Sequence, residues 1–167
     1  MGSLKNPLMY VVEDNKIYNK LIVNFLEKKG FSNIKSFFNG EDCLRNLKAK
    51  PDIVIQDYLL EGLNGIEVLK RGKKHYPDTE FIFLSGQSSM EIAVNTMRYG
   101  AYDYIVKDEA TLDRLVDKIG RIIKAQKVER ANKNVKRFML GFIIFLLLVV
   151  LFFVIYFFTD IWGIHWA

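Results

Sequence analysis

The chain has 167 residues, a hydrophobic fraction of 50% and a formal net charge of +5. That length gives one domain of ordinary size a proper core and leaves little for a second catalytic domain. Cys43 is the only cysteine and His75 and His165 are the only histidines, so a disulfide framework and a cysteine zinc site within one chain are excluded, a histidine metal site is disfavoured, and a reducing compartment fits best.

In chain order, strand candidates are residues 8–13, 34–38, 52–57, 80–85 and 102–107, most of them nearly continuous apolar runs of the kind buried on both faces of a sheet. Helical spacing fills the gaps. In the first helix Ile17, Leu21 and Phe25 form one row, with Tyr18, Ile22 and Leu26 alongside. Cys43 falls in a helical stretch and reads as a buried structural thiol. Gly30, Gly72 and Gly100 fall at or near helix ends, where positive φ is favoured. Thr111 with Asp113 and Arg114 opens the last helix, and Leu112, Leu115, Val116, Ile119, Ile122 and Ile123 give it an apolar stripe. Five strands alternating with helices predict an α/β domain with a doubly wound parallel sheet.

The charge is unevenly placed. Residues 1–110 hold 15 basic and 15 acidic side chains, whereas residues 111–137 hold nine Lys/Arg against Asp113, Asp117 and Glu129. Residues 138–158 then read FMLGFIIFLLLVVLFFVIYFF, without a charge. As a helix, these would span about 31 Å, which matches the hydrocarbon thickness of a bilayer. Basic residues precede the span and none follows it, so the N-terminal domain is expected to face the cytoplasm, with Trp162 and Trp166 at the far interface. The expected organisation is a domain over residues 1–125, a basic juxtamembrane helix or linker over 126–137, a transmembrane helix over 138–158 and a short extracytoplasmic tail over 159–167. No secretory signal or myristoylation motif is read at the start, which leaves the span as the sole expected anchor. The basic stretch reads as a solvated face or an orientation signal, with attraction to anionic lipid as a secondary effect. Nucleic acid is not expected as a partner.

Four strand ends carry the chemistry. Glu13 and Asp14 end the first strand, Asp57 the third, Ser85 the fourth and Lys107 the fifth. A parallel sheet delivers such ends to one edge, where three carboxylates and one lysine would converge. Like-charge repulsion would raise the carboxylate pKa values unless a hard divalent cation were resident, and Mg2+ suits few carboxylates beside an incoming phosphate. Asp57 can then act as a nucleophile toward phosphorus, with Lys107 and Ser85 stabilising the phosphoryl oxygens. Each residue also has an ordinary structural role: a strand-end Asp can cap a helix, Ser can satisfy a loop, and Lys can be solvated.

The motifs VVEDN at 11–15, QDYLLEGLNGIEVL at 56–69, FLSGQ at 83–87 and GAYDYIVKD at 100–108 resemble those of bacterial two-component response-regulator receiver domains. The resemblance covers roughly residues 7–125 and implies the flavodoxin-like receiver fold. It further implies Asp57 as phosphoacceptor and Lys107 and Ser85 as catalytic partners. Glu13, Asp14, Asp57 and the backbone carbonyl of Leu59 would be the Mg2+ ligands, and Ser85 and Tyr104 the switch pair. The implied donor is a histidine kinase or histidine phosphotransfer protein, and a homodimer is possible within the family. Two positions depart from it: Asp108 stands where Pro often follows the lysine, and Glu61 where Pro often follows the phosphoacceptor. Leu59 and Gln87 lie near the expected path of hydrolytic water.

The expected function is that of a membrane-anchored, single-domain response regulator at the cytoplasmic membrane. It would catalyse its own Mg2+-dependent phosphotransfer and dephosphorylation without a separate enzymatic output domain, and act through partner binding or phosphate buffering. The alternative is a membrane scaffold that uses the same fold for protein contacts irrespective of phosphate. A phosphatase with an aspartate nucleophile would usually have a second Asp two residues on, where this chain has Leu59.

Overall fold

The computed structural model describes residues 6–161. Its elements are β1 Met9–Val12, α1 Lys16–Lys28, β2 Ile34–Phe37, α2 Gly40–Asn46, β3 Ile53–Asp57, α3 Gly65–His75, β4 Glu80–Ser85, α4 Met90–Arg98, β5 Asp103–Val106 and α5 Thr111–Ile161. All strand pairs are parallel, in the order β2-β1-β3-β4-β5. The predicted doubly wound α/β sheet is therefore present. The strand order reverses between β1 and β3, and the crevice beyond their carboxyl ends is where such sheets bind ligands.

Alternation along the strands divides the core in two. Met9 and Val11 join Ile53, Ile55, Ile82 and Leu84 on the face covered by Ile22 and Leu26 of α1 and Leu115, Ile119 and Ile122 of α5. Tyr10 and Val12 join Val54, Phe81 and Phe83 on the other face, with Cys43 of α2 and Val68 and Leu69 of α3. Burial on both faces explains why the strands read as continuous apolar runs. Cys43 is wholly buried, and desolvation pushes its thiol up to about 12, which suits an inert structural residue.

The packing decides between the two apolar rows of α1, and one sequence expectation, at Gly72, is corrected. Ile17 and Leu21 of α1 are exposed, while Tyr18, Ile22 and Leu26, with Asn19 and Val23 beside them, face the sheet, because a helix on a flat sheet buries one stripe. Gly30 and Gly100 do adopt positive φ, but Gly72 lies within α3 and is small for another reason: a Cβ there would run into the ring of Phe81 on β4.

The chain divides into two compact units, Met1–Ile123 and Lys124–Ala167. The described part of the second is helical throughout, and within Val135–Phe157 an 18-residue stretch has a mean hydropathy of 3.4 with none of its residues buried. Among the described residues this is the one helix long and apolar enough to cross a membrane. The expected interfacial residues Trp162 and Trp166, with most of the 159–167 tail, lie outside the described residues.

Candidate functional site

The acidic pair is placed by what surrounds it. Asn15 caps α1 through its side-chain oxygen, which accepts from the backbone N–H groups of Ile17 and Tyr18 at 3.0 and 3.1 Å. The chain therefore turns into the helix directly after Glu13 and Asp14. Buried Asn19, one turn into α1, donates from Nδ2 to the carbonyls of Glu13 and Phe37 at 3.2 and 3.0 Å, tying the ends of β1 and β2 together. Sequence reasoning passed over Asn19, although a lone amide on the apolar row of a helix is the signal that could have marked it.

Asp57 ends β3 and is 8% exposed. The loop after it turns back at once: the Leu59 N–H donates to Asp57 Oδ1 at 3.1 Å. Gly65 opens α3 against that loop, and a Cβ at this position would come within 2.6 Å of the Asp57 carbonyl oxygen and 2.9 Å of the Phe83 ring. Only glycine lets α3 start so close to the phosphoacceptor candidate. Gly65→Ala is expected to destabilise the domain by about 3 kcal/mol through overpacking, read as a lower denaturant midpoint at unchanged slope.

Lys107 reaches across from the end of β5. Its Nζ lies 2.8 Å from Glu13 Oε2 and 2.6 Å from Asp57 Oδ2, and 4.5 Å from the centroid of the Tyr18 ring. The ammonium is thus held by two carboxylates and the face of an aromatic ring. Tyr18 is a site residue that the sequence did not disclose, since its spacing marked it only as a core position. Carboxylate oxygens of Glu13, Asp14 and Asp57 lie within 4.8 Å of one another. An all-oxygen acidic donor set of this size fits a hard divalent cation.

The electrostatics differ in cause from the sequence expectation. Glu13 has its pKa raised, and burial is the leading cause, with smaller contributions from the charges of Asp57 and Asp14 and opposition from Lys107. Repulsion within the cluster is therefore secondary to desolvation. Lys107 has its pKa raised, with burial pulling down and the hydrogen bonds and charges of Asp57 and Glu13 pushing up.

The fifth strand and its loop complete the arrangement. The Lys107 N–H donates to the Ser85 carbonyl at 2.7 Å, aligning β5 with β4 at the site. Asp108, where a proline was the usual expectation, braces the turn instead: its N–H donates to Thr111 Oγ1 at 2.6 Å, and its carboxylate accepts from Ala110 N–H and pairs with Arg114 at 2.7 Å. Hydrogen bonds of the Asp108 backbone and side chain thus hold the turn at the start of α5.

A family model for the response regulator receiver domain matches residues 9–120. The chain belongs to this family. Over 129 residues it is 36% identical to an NtrX-like response regulator of Rickettsia felis, covering 75% of this chain and 27% of that protein. Among solved structures, NtrX of Brucella abortus superposes with a TM-score of 0.69 at 28% identity, over 76% of this chain and 29% of that one. The signal receiver domain of a LuxO repressor protein from Vibrio parahaemolyticus gives the same score at 26% identity, covering 75% of this chain and 96% of that domain. The chain therefore spans under a third of these two NtrX-type proteins and nearly all of an isolated receiver domain.

In this receiver domain the two expected switch residues share one partner. Ser85 is wholly buried and its Oγ accepts from the Gln87 N–H at 3.1 Å, while the Tyr104 hydroxyl donates to the Gln87 carbonyl at 2.8 Å. The Tyr104 ring is half-buried against the Phe81 and Phe83 side of the core. Sequence reasoning placed Gln87 near a water path; its backbone also links the hydroxyl of β4 to the aromatic of β5.

Proposed function

We propose that this chain is a membrane-tethered receiver that takes a phosphoryl group onto Asp57 from a histidine kinase or histidine phosphotransfer protein. The observation that carries the reading is the Lys107 ammonium bridging Glu13 and Asp57 at the switch point of the sheet. An Asp57 carboxylate oxygen bonds to phosphorus as the P–N bond of a phosphohistidine breaks, and the departing imidazole takes up a proton. Lys107 is placed to meet the charge of the transferring oxygens, and Ser85 to donate to one of them once it releases Gln87. Glu13, Asp14, Asp57 and the Leu59 carbonyl would hold Mg2+, which when bound neutralises phosphoryl charge. Output follows from the Ser85–Gln87–Tyr104 link: a hydroxyl drawn toward phosphate loosens the bond that holds Tyr104, so phosphorylation biases the surface of β5 and α4. The catalysis in this reading is the domain's own phosphorylation and dephosphorylation.

Tyr18 tunes this chemistry. Removing its ring with Tyr18→Leu is expected to slow phosphorylation by a small phosphodonor about fivefold, the worth of a partly buried cation–π contact, while Tyr18→Phe stays near wild type. Equal slowing in both variants would assign the effect to the hydroxyl instead.

The apolar Val135–Phe157 helix supports anchoring in the cytoplasmic membrane with the receiver on the cytoplasmic side. The full chain is expected to stay with the membrane fraction through alkaline carbonate extraction, and deletion of residues 138–158 to release it. Release of the intact chain by carbonate alone would refute the tether while leaving the receiver assignment in place.

A further inference from the structure

We infer that the basic segment at residues 124–137 is a docking surface for anionic phospholipid headgroups, an inference that rests on the membrane reading of α5. Lys124, Lys127, Arg130, Lys133 and Lys136 recur at every third position, Arg137 follows, and Glu129 is the one acidic residue among them. The backbone is helical throughout, and Lys124, Lys127, Lys136 and Arg137 are exposed. A spacing of three falls short of the 3.6-residue turn, so each step moves the charge about 60° around the axis and about 4.5 Å along it. Four steps, from Lys124 to Lys136, therefore carry the charge about 240° around the helix.

That distribution selects its partner. A helix lying flat on a bilayer keeps its basic residues on one face, and so does one seated in a protein groove or against a duplex, because the partner approaches from one side. Charges turned successively to most sides suit a partner that surrounds the helix. The segment leads directly into the Val135–Phe157 helix, and a helix entering a leaflet upright is ringed by headgroups. Positions 130–137 span about 10 Å of axis, comparable to the Debye length over which the surface potential of an anionic leaflet acts, and their four basic positions cover about 120° of the helix; Lys124 and Lys127 extend the arc to about 240° over about 20 Å. Headgroups of phosphatidylglycerol type, each with a single phosphodiester charge, match single ammonium and guanidinium groups spread over this band.

The test uses the purified full chain reconstituted in mixed phosphatidylcholine and phosphatidylglycerol vesicles, with a trace of one or the other lipid spin-labelled. Electron paramagnetic resonance then gives the fraction of label immobilised at the protein. Phosphatidylglycerol is expected to be enriched about threefold over phosphatidylcholine at low salt, and the enrichment to fall toward unity at high salt. The same fall is expected in the combined variant Arg130→Gln, Lys133→Gln, Lys136→Gln, Arg137→Gln. Equal immobilisation of both lipids by the wild-type chain overturns the inference and leaves the tether standing. Equal immobilisation together with a gel shift of a random DNA duplex overturns it in favour of nucleic acid. Immobilisation of neither lipid overturns the tether itself, and the inference with it.

Discussion

Asp57→Asn is expected to abolish the phosphoryl label that the wild-type domain acquires from Mg2+ and a small phosphodonor such as acetyl phosphate. The substitution is nearly isosteric, so the Leu59 N–H retains an oxygen to bond and the β3 end keeps its course. What it removes is the anionic nucleophile and one of the two carboxylates that hold Lys107. A neutral amide does not attack a phosphoryl donor under these conditions, and neither Glu13, 2% exposed and engaged by Lys107, nor the wholly buried Ser85 is placed to take over. The wild-type label should be labile to hydroxylamine, as an acyl phosphate is, whereas a serine phosphate is not. An unchanged label in Asp57→Asn, with the fold intact by circular dichroism, would move the phosphoacceptor to another residue.

The strand ends were legible in the sequence because parallel topology and strand termination are both local signals. An apolar run stops where a charged or hydroxylic residue begins, and four such stops fix the membership of one sheet edge. Glu13, Asp14, Asp57, Ser85 and Lys107 all lie at that edge. The supporting residues were hidden because their roles depend on which face of an element they occupy. Tyr18 and Asn19 belong to the same helical row pattern as Ile22 and Leu26, and nothing in a one-dimensional spacing says that this row passes beneath Lys107 and over the β1–β2 ends. Ile17 and Leu21 show the converse, since two adjacent apolar rows read alike and only the packing decides between them.

Glycines divide in the same way. A positive φ after a helix is written locally, as at Gly30 and Gly100, whereas Gly65 and Gly72 are small because of what lies across the interface, Asp57 with Phe83 in one case and Phe81 in the other. Asp108 is a third kind of case. Loss of the usual proline reads as loss of a constraint, yet the carboxylate and N–H of Asp108 supply a hydrogen-bonded constraint through Ala110, Thr111 and Arg114.

Neutralising Glu13 is expected to stabilise the metal-free receiver unit above pH 5 while abolishing its response to Mg2+. Glu13 has a folded pKa above its ordinary value of 4.5, chiefly from burial, so the fold prefers the protonated carboxyl. Its contribution to stability is complete below the unfolded pKa and is lost as pH rises through the folded one. Lys107, also raised, contributes favourably until pH climbs past its folded pKa, above 10.5, and so does not confound the weakly acidic range. In Glu13→Gln the ionisation penalty is gone, so the metal-free variant should unfold at higher denaturant than wild type near neutral pH, with the gap closing toward pH 4. Divalent cation reverses the order. Ligand at about a hundred times its dissociation constant stabilises a fold by about 2.7 kcal/mol, and wild type should gain on that scale because Mg2+ draws on the ionised Glu13, Asp14 and Asp57. The gain should shrink as protons compete for Glu13 on acidification. A Glu13→Gln variant that gains as much from Mg2+ as wild type does would remove Glu13 from the ligand set and leave its carboxylate as a partner of Lys107 alone.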